Sequence, residues 1–181
     1  MADPLLAFYG DDFTGSSAVM EVLSFAGIPT VMFLKPPSAE ELAAFPDLSA
    51  MGIAGVARSR DPGWMEDNLP QAFAALADFG APIVHYKVCS TFDSSPGCGS
   101  IGKAIDIGAP ILGGAWHPLI IGAPAIRRYQ AFGNLFAGTD DGVYRLDRHP
   151  VMSRHPATPM DEADLRLHLS RQTDRRIGLV D

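Results

Sequence analysis

The order of apolar and polar positions divides the chain into two parts of different character. In the first, short continuous apolar runs alternate with stretches of helical period. Residues 5–9, 30–34, 52–57, 83–88 and 119–122 read as strands. Between the first two, Ala18, Val19, Val22, Leu23 and Ala26 recur at helical spacing, with Asp12 or Thr14 placed to cap the start and Gly27 to close the end. Residues 65–79, followed by Gly80, and residues 99–107 read as two further helices. The strand runs lack polar alternation, as in strands covered on both faces, and their alternation with helices requires crossover connections. The pattern predicts an α/β fold: a mostly parallel sheet with helices on both faces, in a Rossmann-like three-layer arrangement. Beyond about residue 125 the character changes. "FGNLFAG" and "GVYRLDRHPVMSRHPATPM" follow, the second reading as an ordered loop; residues 161–172 read as a capped helix and "IGLVD" as the start of a strand.

Composition narrows the function classes. The 181 residues are 47% hydrophobic and 19% charged, a globular balance sized for one domain. A net charge of −7 does not invite nucleic acid or an anionic membrane. There is no apolar run of membrane-span length and no signal-peptide pattern at "MADPLL", so a cytoplasmic protein is expected. Cys89 and Cys98 make no disulfide framework, and Cys89 reads as a small buried side chain.

In open sheets of this kind ligands bind beyond the carboxyl ends of the strands, and the candidate chemistry lies at those ends. "GDDFTG" places Asp11 and Asp12 between the first strand and the first helix. The pair reads either as a turn with an Asp cap or as an acid that meets a ligand hydroxyl and takes its proton, as in phosphoryl transfer. "HYKVCSTFDSSPGCGSIGKA" brings Lys87, Ser90, Thr91, Asp93, Ser94 and Ser95 together. It reads either as a Ser-rich turn bonded to its own backbone or as a site for a small polyhydroxy acid. It lacks a P-loop ending. Arg58 follows the third strand, where its guanidinium would suit a carboxylate. His149 and His155 sit in a Pro-containing loop without an acidic ligand set, so that loop reads as an anion-binding or domain-contact segment rather than a metal site.

Taken together, "DDFTGSSAVMEVLSFAG", "YKVCSTFDSSPGCGSIGKA" and "HPATPMDEADLRLHLSRQT" resemble the four-carbon acid sugar kinases, in order and over nearly the whole chain. The resemblance implies ATP-dependent phosphorylation of erythronate, threonate or 3-oxo-tetronate. It implies a sugar-acid-binding domain over residues 1–181, followed by a C-terminal nucleotide-binding domain whose Gly-rich motifs are absent from this sequence. ATP and magnesium would then act mainly through that missing part, and this chain alone is not expected to phosphorylate. On this reading Arg58, Lys87, Ser90 and Thr91 hold the anion, Asp93 orients hydroxyls beside Ser94, and Asp12, with Asp11 as the alternative, is the base. A second class of function is a non-catalytic small-molecule-binding or partner protein built on the same sheet. Self-association into a homo-oligomer stays open.

Overall fold

The computed structural model describes residues 3–180. Four parallel strands form the central sheet: β1 (Leu6–Gly10), β2 (Thr30–Phe33), β3 (Ala50–Ala54) and β4 (Ile83–Lys87), in the order β2-β3-β1-β4. They are joined through α1 (Phe13–Phe25), the short α2 (Ala39–Ala43) and α3 (Pro62–Asp78), and α4 (Ile101–Leu112) follows β4. The α/β fold read from the apolar runs is therefore present. Side chains alternate across β1 and assign the helices to faces. Tyr9 meets the Phe73 ring of α3 edge-on at 6.0 Å and stacks on Tyr86 at 5.6 Å. On the opposite face, a Cβ at Gly10 would fall 1.9 Å from Ser16 Oγ of α1, so only glycine lets that helix approach β1 so closely. Helix α1 thus covers one face, and α3 with α4 covers the other.

The main core lies under α3 and α4, around Ala7, Tyr9, Met51, Ile53, Met65, Leu69, Phe73 and Leu76. A second core gathers Phe92, Ile101, Leu135, Leu146, Met160 and Leu165. Because Ala104 belongs to the first core and Ile101 to the second, α4 joins the two.

The second core rests on an antiparallel sheet that the sequence reading did not anticipate: β5 (Arg128–Ala131), β6 (Asn134–Thr139) and β7 (Gly142–Arg145). Other expectations also change. The third strand runs from Ala50 to Ala54, and beyond it Gly55 lies so close to β1 that a Cβ there would meet Tyr9 Oη at 1.9 Å. Residues 119–122 form no strand: Ile121 is buried, while Ile120 is 80% exposed. The expected helix over 161–172 shortens to α5 (Leu165–Leu169), capped by Asp164. Its first residues are drawn into pairing with β6, where Leu135 N donates to Ala163 O at 2.9 Å. Residues 177–180 are not strand, and residue 181 lies outside the described residues.

Candidate active site

Strand β1 lies between β3 and β4, so the chain passes from one side of it to the other, and the carboxyl ends of the three strands open at this switch point. Backbone hydrogen bonds tie those ends together. Gly55 N donates to Gly10 O at 2.9 Å, Arg58 N to Asp11 O at 3.0 Å, and Asp11 N to Lys87 O at 3.0 Å. Above them is a cleft of about 470 Å³ whose wall includes Asp11, Asp12, Arg58 and Asp93, with Thr158 and His155 reaching it beside Asp93.

The two adjacent acids have different surroundings. Asp12 is the N-cap of α1 and accepts from Gly15 N at 2.5 Å, and its other oxygen takes Arg58 Nη1 at 2.7 Å. Asp11 is only 4% exposed, and its Oδ1 has no hydrogen-bond partner among the described residues. Burial, then the neighbouring charge of Asp12, pushes its carboxyl up to about 7 against the opposing pull of Arg58 and Lys87. A carboxyl titrating there, at the edge of a cleft, suits proton exchange at neutral pH.

Asp93 organises the other half of this wall. Arg58 Nη2 lies 2.8 and 2.9 Å from its two oxygens, Thr91 Oγ1 donates at 2.6 Å and Thr158 Oγ1 at 2.9 Å. Burial alone would raise this carboxyl, but the hydrogen bonds of Thr91 and Arg58, reinforced by that of Thr158, outweigh it and hold it below its usual range. The two carboxylates in turn keep Arg58 charged despite its partial burial. Phe92, next to Asp93, has φ 54°, a left-handed conformation that a bulky residue adopts only under constraint. Its buried ring packs edge-on to His168 at 5.9 Å, which supplies that constraint.

Of the residues singled out in the sequence, the fold brings Asp11, Asp12, Arg58 and Asp93 to the cleft, with Thr91 directly behind on Asp93. Lys87, Ser90, Ser94 and Ser95 do not line it. The ammonium of Lys87 donates to Val88 O, close to Gly15 in the first turn of α1. Ser94 faces inward, 3.0 Å from His168 Nε2 and accepting from Gln172 Nε2 at 2.9 Å. Ser90 is half-buried away from the cleft wall. Cys89 is half-buried, its sulfur 3.1 Å from Thr91 Oγ1. Thr158 and the wall-forming role of His155 were missed. The only hint was the Pro-bounded "HPATPM", because the contact with Asp93 spans 65 residues.

The described residues do not fit a triphosphate. Gly113 and Gly114 follow the C-terminus of α4, the end of a helix that repels anions. The N-termini of the three long helices are closed by side chains of the chain itself: Asp12 on α1, Asp61 on α3 and Ser100 on α4. No group of three or more His, Cys, Asp or Glu side chains among the described residues is placed to hold a metal ion, and no helix among them is long and apolar enough to cross a membrane.

A family model described as a sugar-binding N-terminal domain matches residues 6–181. This chain belongs to that family. The domain is 62% identical over 177 residues to a 3-oxo-isoapionate kinase of Paraburkholderia graminis, covering 98% of the chain and 38% of that protein. It is 32% identical over 176 residues to a 3-oxo-tetronate kinase of Methylobacterium radiotolerans, covering 97% of the chain and 40% of that protein. The domain thus spans about two fifths of the length of these curated relatives. Among solved structures it matches a Salmonella typhimurium LT2 protein with a TM-score of 0.85 at 26% identity, over 97% of this chain and 40% of that one. It also matches a domain of unknown function from Bordetella bronchiseptica, with bound citrate in a domain-swapped dimer, with a TM-score of 0.72 at 20% identity. That match covers 92% of this chain and 40% of the Bordetella chain, and it speaks to the fold alone.

Proposed function

We propose that this chain forms the sugar-acid site of a kinase acting on 3-oxo sugar acids, with the 3-oxo-isoapionate type favoured over the 3-oxo-tetronate type by the 62% and 32% identities of the respective relatives. The observation that carries the reading is the contrast between the adjacent acids. Asp12 is committed to the α1 cap and to Arg58, whereas Asp11 lines the cleft with a buried Oδ1 that has no partner among the described residues and a carboxyl held at about 7. Asp11, rather than Asp12, therefore takes the proton of the ligand hydroxyl. Asp12 fixes Arg58, whose N–H groups not used by Asp12 and Asp93 meet the ligand carboxylate. Asp93 positions Arg58 and does not itself orient hydroxyls, since its oxygens already take Arg58, Thr91 and Thr158. The phosphoryl donor, ATP with magnesium, belongs to a C-terminal nucleotide-binding portion, a reading supported by the kinase relatives, of which this chain matches about two fifths. Calorimetry of this chain with 3-oxo-isoapionate, 3-oxo-tetronate and uncharged erythritol tests the reading. Binding of the acids and not of erythritol is expected. No binding of either acid, or equal binding of erythritol, would overturn it.

A further inference from the structure

The 155–158 loop brings to the cleft a histidine whose tautomer is fixed by its surroundings. The backbone N–H of Thr158 points at His155 Nδ1 from 3.1 Å. A backbone N–H can only donate, so Nδ1 must accept, and the neutral ring then carries its proton on Nε2. The Thr158 hydroxyl lies 3.1 Å from the same Nδ1 while donating to Asp93 Oδ2 at 2.9 Å. Having given its one proton to Asp93, that hydroxyl donates none to Nδ1, so it is the Thr158 backbone N–H that holds the ring, while the same residue's side chain holds the carboxylate that positions Arg58. His155 is half-buried, and its Nε2, on the far edge of the ring, makes no hydrogen bond to the protein among the described residues. The ring forms part of the cleft wall.

The cleft therefore offers groups of both hydrogen-bonding senses. The β1 end offers carboxylate oxygens, which accept from hydroxyls. The 155–158 loop offers an N–H on His155 Nε2. A 3-oxo sugar acid has both kinds of partner: hydroxyls that donate, and a ketone and a carboxylate whose oxygens only accept. We propose that His155 is a ligand-contacting residue that gives its Nε2–H to an acceptor-only oxygen of the sugar acid, the ketone or the carboxylate. The inference rests on the sugar-acid reading above and adds to it a specificity-determining residue from the 155–158 loop.

Two substitutions separate contact from architecture. His155→Asn keeps an acceptor oxygen close to the place of Nδ1 for Thr158 N–H, but leaves nothing where Nε2 was, whereas His155→Ala removes both. Each variant and the wild-type chain are titrated by calorimetry with 3-oxo-tetronate, with threonate (a hydroxyl in place of the ketone) and with erythrulose (a ketone without the carboxylate). Urea unfolding of the same samples reports the fold. His155→Asn is expected to retain wild-type stability and bind 3-oxo-tetronate ~10-fold more weakly, the loss of one hydrogen bond from ligand to protein. A penalty kept with erythrulose and absent with threonate assigns the contact to the ketone, and the reverse assigns it to the carboxylate. Nitrogen-15 spectra of the imidazole should show the Nε2–H tautomer and an Nε2 shift on adding 3-oxo-tetronate. If His155→Asn binds all ligands like wild type, or the ring carries its proton on Nδ1, His155 is an architectural residue and the proposal fails while the sugar-acid reading stands. If the wild-type chain binds none of the acids, that reading fails and takes this inference with it.

Discussion

Replacing Asp11 with Asn removes a buried charge while keeping the shape of the side chain, and the effect on stability can be worked out from the structure. In the unfolded chain an Asp titrates near ~3.9; in the fold Asp11 is held at about 7 by burial and by the charge of Asp12. Between these values the folded protein keeps the proton that the unfolded chain has released. The contribution of the group to stability is therefore fully present below pH ~4 and is lost as pH rises through 7. Each unit of difference is worth ~1.4 kcal/mol, so roughly three units amount to ~4 kcal/mol of stability forgone at pH 8. The amide of the Asp11→Asn variant carries no such cost. Urea unfolding of both proteins from pH 5 to pH 8 should show the variant gaining on wild type by ~2.5 kcal/mol across that range, with most of the change below pH 7. On the proposed kinase reading, the same change in a full-length enzyme should reduce turnover ~10²–10⁴-fold, the usual loss for a general base. Parallel stability curves for the two proteins would refute the argument, since Asp11 would then be an ordinary carboxylate and no better suited than Asp12 to take a proton.

Three further outcomes follow from the Arg58 network. Arg58→Met leaves the Asp93 side chain, 1% exposed, without its cation, and should cost ~3 kcal/mol in urea unfolding; this is the lower end for a broken buried pair because the Arg58 side chain is itself 28% exposed. A loss below ~0.5 kcal/mol would show that Thr91 and Thr158 suffice for Asp93. Asp12→Asn keeps an N-cap for α1 and should lose ~1 kcal/mol or less, whereas Asp12→Ala should lose ~1 kcal/mol more; equal stabilities would remove the capping role. Gly99→Ala places a Cβ 2.3 Å from Arg58 O at a residue with φ +59°, so thermal melting should show a loss of ~1–3 kcal/mol, and calorimetry should show weaker acid binding because Arg58 is displaced; unchanged melting and binding would contradict the close approach.

The parallel sheet could be read from the sequence because its central strands β1 and β3 are buried on both faces and the flanking β2 and β4 keep mostly apolar runs, so these stand out without reference to partners. Asp11, Asp12 and Arg58 could be read for a related reason: each follows a strand within a few residues, and strand ends in such sheets converge. The antiparallel sheet was not legible. In β6 only Leu135 and Ala137 are fully buried, and the glycines and adjacent acids around the β6–β7 turn read equally well as loop. Lys87 and Ser94 were placed in the site by proximity in sequence to Asp93. Spacing along a loop does not fix direction, and the left-handed turn at Phe92 sends Asp93 toward Arg58 while Ser94 faces His168 and Gln172. The loop of His155 was singled out, but Thr158 and the place of both residues beside Asp93 were not, because that place depends on a contact 65 residues distant in sequence.

The central claim is that the cleft at the β1, β3 and β4 ends binds a sugar acid against Asp11 and Arg58. Its most direct test is a side-chain and backbone NMR titration of this chain with 3-oxo-isoapionate at pH 7. The account expects saturable shifts concentrated at Asp11, Asp12, Arg58, Asp93, His155 and Thr158, with the Asp11 carboxyl carbon reporting a changed titration in the complex. Saturable shifts clustered elsewhere, with the Asp11 carboxyl unmoved, would contradict it.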